Sequence, residues 1–371
     1  MTVRDVAIIG GGLAGGAAAA LLAQNGVDAL LLEKEAQPHH KVCGEFMGPD
    51  ALHYLAQLGV DPSLNGAQLI DRLHLARLRR TLALSLGFQP LSLSRRRLDD
   101  AVLTRAVSCG AEIRRGLTVT GLVPHGAHWQ VICQGQGPIF ARAVFLAIGK
   151  HDLTGWSHRV GRQDDFIGLK MHYRLAPDQQ AQLARSVELV LFHGGYLGLA
   201  PVENGLANLC LVVTKSRFAA CGKKWETLRQ QLLLATPHLA ARLAGAMPCW
   251  EKPLAIFGIP YGFMHCPSSQ DSLALYRLGD QLAVIPSLFG EGMAIALHTA
   301  CLAAACYLQS DAAVYHRRAV QQLSAQINSA TRLSRLIAAP FLQPLVLPLC
   351  RLIPPLVPAA IRRTRIQGLL Q

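Results

Sequence analysis

The stretch that most constrains this chain is VAIIGGGLAGG, residues 6–16, followed by an alanine-rich run and by VDALLLE at 27–33. It predicts a short apolar strand, a glycine turn, a helix over 16–24 and a second strand that ends on an acid. From Gly10 to Glu33 the interval is 23 residues, the spacing of a dinucleotide-binding βαβ unit. Each glycine has a separate task. Gly10 permits the tight turn, Gly12 leaves bare backbone for a pyrophosphate, and Gly15 lets the helix pack closely on the sheet. Leu13 and Ala14 lie in the same turn. The helix then presents free N–H groups to phosphate, and Glu33 is placed to take ribose hydroxyls. A glutamate there, with no arginine beside it, suits FAD or NAD better than NADP, although Lys34 follows directly.

Further along, RRRLDDAVLTRAV (95–107) reads as a helix start, and 111–122, 128–135 and 141–149 read as strands. From 166 the texture changes. Segments 166–175, 187–193, 207–213, 254–259 and 273–278 read as strands of mixed or alternating character, interrupted by one long helix at about 223–244. This predicts an antiparallel sheet laid against the cofactor domain. At 279–297, GDQLAVIPSLFGEGMAIAL predicts a strand from Leu282 to Ile285, a glycine loop, and a helix starting near Gly290–Gly292 with its N-terminus aimed at a ligand.

Composition limits the function classes. With 371 residues, 51 % of them hydrophobic, the chain can bury a large core. The ten cysteines show no CxxC pair, so buried free thiols are expected, with no metal site. The opening MTVRDVAIIGGG has no signal-peptide order of segments, which points to the cytoplasm. The net charge of +13 does not indicate nucleic acid. Eight arginines and no acidic residue follow Asp311, mixed with apolar runs, a pattern that fits a membrane surface or an acidic partner.

Four segments taken together resemble the FAD-dependent oxidoreductases of the para-hydroxybenzoate hydroxylase fold: GGGLAGG at 10–16, SRRRLDDAV at 94–102, VFLAIGKHDLTG at 144–155 and GDQLAVIPSLFGEGM at 279–293. The resemblance implies an α/β chain with a discontinuous, Rossmann-like FAD-binding domain (1–75, 95–160 and 275–330). It also implies an antiparallel-sheet substrate domain (76–94 and 161–274) and a C-terminal helical tail (331–371). FAD is the implied cofactor. Besides the first glycine turn and Glu33, it implies contacts from Arg95, from Asp280 to a ribityl hydroxyl, and from the loop Pro286 to Met293, with Gly290 and Gly292, against the ring. Lys34, Lys41, Cys43, Gly44 and Gly149 complete the expected cofactor contacts.

Within that fold, KVCGEF (41–46), AIGKHD and IGLKMHY (167–173) resemble the geranylgeranyl-reductase-like flavoproteins. Related proteins reduce isoprenoid double bonds, and others tailor polyketides. The chain departs from its relatives in places. AIGKHD stands where aromatic hydroxylases carry Asp-Gly. The tryptophan signature of flavin halogenases is missing. GGYLGLAPVENG (194–205) keeps Tyr196 and Pro201 of the isoprenoid-reductase segment but not its tryptophan. The implied activity is an FAD-dependent oxidoreductase acting on carbon–carbon bonds of an apolar, lipid-like substrate, with monooxygenation of an aromatic or polyketide substrate as the alternative and a non-enzymatic flavin-binding or membrane-associated protein as a third reading. An external donor, NAD(P)H or a reduced protein, would supply electrons. Candidate catalytic groups are Cys43, Glu45, His172 and Tyr196, with Lys170 beside His172 on one strand, where both could face solvent. Cys43 reads as a packed neighbour of the ring before it reads as a reactive thiol.

The tail, LSRLIAAPFLQPLVLPLCRLIPPLVPAAI at 333–361, is nearly membrane-like, but its prolines and Arg351 break any ordinary span. Short broken helices are expected, either capping the core or touching the inner face of a membrane peripherally.

Overall fold

The computed structural model describes residues 2–156, 158–267, 274–339, 341–353 and 355–366. Strand β1 (Val3–Ile9) leads into α1 (Leu13–Gln24) and β2 (Ala29–Glu33), followed by β3 (Phe46–Met47) and α2 (Pro49–Gln57). Next come β4 (Gln68–Leu69), the hairpin β5 (Arg72–Arg77) and β6 (Arg80–Ser85), and β7 (Leu91–Ser92). Helix α3 (Arg95–Ser108) precedes β8 (Glu112–Arg115), β9 (Val119–His125), β10 (His128–Cys133) and β11 (Ile139–Leu146). The middle of the chain holds β12 (Phe166–Arg174), α4 (Pro177–Leu183), β13 (Ser186–Phe192), β14 (Gly195–Val202) and β15 (Leu206–Thr214). Helices α5 (Lys215–Ala220), α6 (Trp225–Ala235) and α7 (Pro237–Arg242) lead to β16 (Met247–Pro248), β17 (Leu254–Phe257) and β18 (Leu275–Arg277). The chain then turns helical, with α8 (Gly292–Gln309), α9 (Ala312–Ala338), α10 (Gln343–Leu352) and α11 (Leu356–Arg363).

The first sheet has the order β8-β2-β1-β11-β10-β9, with β18 added beside β11. Strands β8, β2, β1, β11 and β18 run parallel, and β10 and β9 are antiparallel to their neighbours. Every residue of β2, ALLLE, is buried, as a parallel strand covered on both faces requires. Ile9 pairs with both Leu32 and Leu146, so the three central strands end together and open a crevice beyond their C-terminal edge. Helix α1 can lie flat on this sheet because its side chains are small. Alanines 17–20 are fully buried, and Gly16 faces Val102 and Leu103 of α3.

The second sheet, β16-β12-β15-β14-β13-β5-β6 with β17 beside β12, is antiparallel except where β13 runs parallel to β5. One face carries Leu169, Met171, Leu199, Leu209 and Leu211 against α6 and α7. The other face carries Leu75, Leu191, Tyr196 and Val212 toward the tail helix α10. β3, β7 and β4 form a small third sheet, with β5 and β6 of the second sheet inserted in sequence between β4 and β7.

Several local expectations are corrected. The single helix at 223–244 is two, α6 and α7, because Pro237 has no N–H to continue the ladder. The strand at 111–122 is interrupted at Gly116, whose φ is +73°. Residues 282–285 form no strand. A 3-10 turn at Gly279–Gln281 is followed by an isolated bridge between Met264 and Ala283. The strand at 273–278, whose first residue lies outside the described set, does not extend the second sheet, since Leu275–Arg277 pairs in parallel with β11. Segment 195–202, not read as a strand, is β14. In the tail, α9 continues to Ala338 before the short helices begin, and Pro340 and Pro354 lie outside the described residues. Helix α8 is apolar enough to cross a membrane by composition, yet it packs as a core helix against α1, α2 and α9.

Candidate functional site

At the crevice, the backbone dictates the residue types. Gly10 has φ +103°, and a Cβ there would stand 2.6 Å from the Ala147 carbonyl oxygen. A Cβ on Gly15 would stand 1.9 Å from the Gly10 carbonyl oxygen, so the turn closes only with glycine at both positions. Helix α1 starts at Leu13 with no side-chain cap and no acid in its first turn, leaving its N-terminal amides unspent. Lys41 Nζ and Arg95 Nη2 approach the Gly12 side of this turn. Both cations are held by Asp99, with Lys41 Nζ 2.8 Å from Oδ2 and Arg95 Nε 2.8 Å from Oδ1. Glu33 is buried. Its carboxylate accepts from the amides of Gly11, at 2.6 Å, and Glu35, at 2.9 Å. Free helix amides, two fixed cations and an oriented carboxylate at the end of β2 fit a pyrophosphate and its adenosine ribose.

The KVCGEF loop runs beside this cradle and is tied from below by the second sheet. Lys170 Nζ donates to the Lys41 carbonyl and to Glu45 Oε1, and His172 Nε2 lies 2.8 Å from Glu45 Oε2. Glu45 Oε1 also accepts from the Arg95 amide at 2.7 Å, and Asn208 Nδ2 donates to the Cys43 carbonyl at 3.0 Å. Lys170, His172 and Glu45 are all buried. Neither Lys170 nor His172 therefore faces solvent, and both lie on one face of β12 because they are two residues apart. Burial raises the Glu45 carboxyl, but Lys170 and His172 more than offset this and hold it below the ordinary range. The unusual backbone lies at Glu45, with φ +59°, and not at Gly44, where a Cβ would meet no protein atom. Cys43 Sγ accepts from the Glu45 amide at 3.4 Å, a turn contact. All ten cysteines are free.

The late glycine motif closes the crevice from the far side. Asp280 pairs with Lys150 at 3.3 Å, and Gln281 Nε2 donates to the carbonyls of Gly149 and His151, at 2.7 Å each. Pro286 opens the turn in which Ser287 joins two phenols. The Tyr196 hydroxyl is 2.6 Å, and the Tyr261 hydroxyl 2.8 Å, from Ser287 Oγ. Burial raises both phenols above their ordinary value, so they stay protonated donors. Three residues not named from the sequence belong here, Tyr261, Ser287 and Glu291. Glu291 is 3 % exposed and its Oε2 has no partner among the described residues. Burial, and then the Asp50 carboxylate, push its carboxyl up to about 8. An acid between the two glycines of GEGM is the one sequence signal that could have flagged it.

One cavity of about 1280 Å³ joins these features. Its polar end is lined by Gly10, Gly12, Leu13, Ala14, Glu33, Lys34, Lys41, Cys43, Gly44, Glu45, Arg95, Gly149, Asp280, Gly290, Gly292 and Met293. Its other end runs between the second sheet and helices α9–α11 and is apolar, with Leu75, Leu191, Ile256, Ile337, Val346 and Val357 among its walls. Tyr196, Tyr261 and Ser287 line it too. Four expected site residues do not line it. Gly15 shapes the turn from behind, Pro286 starts the following turn, and Lys170 and His172 reach the cavity only through Glu45.

Two further clusters bring metal-ligating atoms within 4.8 Å of one another, His40–Glu45–His172 and His74–Glu188–His238. In each the carboxylate already carries a cationic partner, Lys170 on Glu45 and Arg242 on Glu188. That arrangement opposes a divalent ion.

Residues 4–137 match the family described as FAD binding domain. No curated protein matches the sequence. Among solved structures, the flavin-dependent brominase Bmp2 superposes with a TM-score of 0.79 at 17 % identity, covering 98 % of this chain and 93 % of its own. Halogenase PltM in complex with phloroglucinol and FAD gives 0.68 at 18 % identity, covering 90 % and 76 %. A flavoprotein/dehydrogenase from Cytophaga hutchinsonii gives 0.75 at 16 % identity, covering 91 % and 89 %. These likenesses support the flavoprotein fold and do not support the narrower geranylgeranyl-reductase branch, which rests on the segments KVCGEF, AIGKHD and IGLKMHY of the sequence. Residues 4–137 thus match an FAD binding domain, the whole chain has the fold of the flavin-dependent halogenases and a flavoprotein dehydrogenase, and its cofactor is FAD.

Proposed function

We propose that the chain is an FAD-dependent oxidoreductase acting on an elongated, apolar organic molecule of isoprenoid or polyketide type. The observation that carries this reading is the single cavity that begins at the dinucleotide cradle and continues as an apolar channel under α9–α11. Gly10, Gly12, Leu13, Ala14, Glu33, Lys34, Lys41, Arg95, Gly149 and Asp280 would hold the cofactor, with the loop from Pro286 to Met293 beside its ring. Bound FAD would carry the electrons of the reaction, giving them up in a reduction and taking them in an oxidation. The protein supplies binding, exclusion of water and protons. Leucine, isoleucine and valine walls favour an apolar chain by about 25 cal/mol for each Å² they remove from water. The linked hydroxyls of Tyr196, Ser287 and Tyr261 can orient a polar head group or hand it a proton. Glu291, neutral at physiological pH, is a second proton source in the same cavity.

Reduction or oxidation of a carbon–carbon bond uses these groups as proton donors and acceptors. A second reading, oxygen insertion into an aromatic or polyketide substrate, is favoured by the likeness to flavin-dependent halogenases and by the water-excluding walls. An external donor, NAD(P)H or a reduced protein, would serve a reduction or the oxygen insertion, and an oxidation would pass its electrons through FAD to an acceptor such as O2. The test is to identify, by mass spectrometry, the apolar molecule that copurifies with the yellow protein, and then to supply it with FAD, NADPH and O2. A gain or loss of hydrogen alone supports carbon–carbon redox chemistry, and a gain of oxygen supports the second reading. A protein that stays colourless after FAD addition refutes both.

A further inference from the structure

The tail has two apolar faces. The cavity is open to solvent, and of its lining on the tail Leu336, Leu345 and Leu349 are the most exposed, at 52 %, 57 % and 44 %, and mark its mouth. Around this mouth, Phe341 and Leu352 are 77 % and 79 % exposed and line nothing within the protein. Exposed side chains of this size, gathered on the end of α9, the turn after it and α10, form a patch that a monomeric protein in water rarely shows. The patch is also strongly charged at its margins. Arg332, Arg335, Arg351, Arg362 and Arg363 are exposed, and no residue after Asp311 is acidic. Helices α10 and α11, of 10 and 8 residues, are too short to span a bilayer of roughly 20-residue thickness, but long enough to lie in its interface.

We infer that the outer face of α9–α11 docks on an anionic lipid bilayer, and that the apolar substrate passes between bilayer and cavity through the mouth at Leu336, Leu345 and Leu349. The charge pattern selects this occupant. Arginines around an apolar wedge complement acidic headgroups above acyl chains, whereas a second copy of the same surface would set like charges against each other. The passage of substrate rests on the proposed function; the docking does not.

Flotation of the full-length, FAD-loaded protein with phosphatidylcholine vesicles, with and without phosphatidylglycerol, measures docking without any turnover. Binding should need the anionic lipid and weaken with salt. Phe341→Asp/Leu352→Asp leaves the cavity walls in place and should lower binding at least tenfold. Arg362→Gln/Arg363→Gln should lower it by about 30-fold, from roughly 1 kcal/mol for each arginine near an acidic surface. Unchanged flavin absorbance and circular dichroism establish that each variant is folded, and the arginine pair keeps the test open should the aspartate pair misfold. No binding to either vesicle, equal binding to both, or a dimer in solution that the aspartate pair dissolves would overturn the inference. Docking without turnover of any apolar substrate would leave it standing and count against the proposed function alone.

Discussion

Replacing Glu291 by Gln isolates one buried carboxyl and gives the clearest test of the cavity's electrostatics. The native group is raised from 4.5 to about 8 by burial and, second, by Asp50, with Arg365 acting in the opposite direction. Below about pH 4.5 the carboxyl is protonated in both native and unfolded chains, and its full contribution is present. As pH rises toward 8, the unfolded chain ionises while the native protein keeps its proton, so stability falls. Each tenfold change in proton affinity is worth about 1.4 kcal/mol, so the loss from this group amounts to about 4–5 kcal/mol between those limits. Glutamine preserves shape and cannot titrate. Its cost, including an unpartnered amide, is constant with pH. Urea unfolding of FAD-free wild type and variant, compared across that range by circular dichroism, should therefore give a difference that moves in favour of the variant as pH rises. Asp50→Asn should flatten the same slope, because it removes the second cause. Parallel profiles for wild type and Glu291→Gln would refute the argument and place water or an unrecognised partner at Oε2.

Four other perturbations have definite outcomes. Lys170→Met leaves Glu45 charged and buried and should cost about 3–5 kcal/mol in urea unfolding. Adding Glu45→Gln should restore part of that loss, and strict additivity would argue against a coupled pair. Glu45 is held below its ordinary value, so its support for the loop is present above about pH 4.5 and fades as pH falls through its lower folded value; flavin affinity, followed by fluorescence, should fall on acidification in wild type and be already weaker and less dependent on pH in Glu45→Gln. Gly15→Ala must move the Gly10 backbone by its Cβ contact and should yield protein without flavin, read from the visible-to-ultraviolet absorbance ratio. Cys43→Ala should keep its flavin and turn over within a few-fold of wild type; a loss of about 100-fold or more, the scale of a proton-transfer residue, would move the thiol from packing into chemistry.

The site was legible in the sequence where a backbone demand fixes the residue type. Gly10 and Gly15 are such positions, since any Cβ collides with main chain. Glu33 is another, because its place at the end of β2 follows from strand length and turn geometry. Local pattern failed where partners are remote. Lys170 and His172 looked able to face water on an alternating strand, but a loop more than a hundred residues earlier covers that face and brings Glu45 to both. Tyr261 and Glu291 carried no periodic signal at all. Residues 282–285 are apolar like a strand, but Leu275–Arg277 already fills the place beside β11.

The sequence by itself determined that the chain builds a dinucleotide cradle, because glycine spacing and a strand-end acid are local and steric. It also determined that the tail is apolar, basic and broken by proline. Only the tertiary structure decided that the tail roofs a channel continuous with the cradle, and that the charges behind KVCGEF neutralise one another out of water. Both depend on long-range packing, in which the energy of a buried group is set by neighbours the sequence does not place beside it.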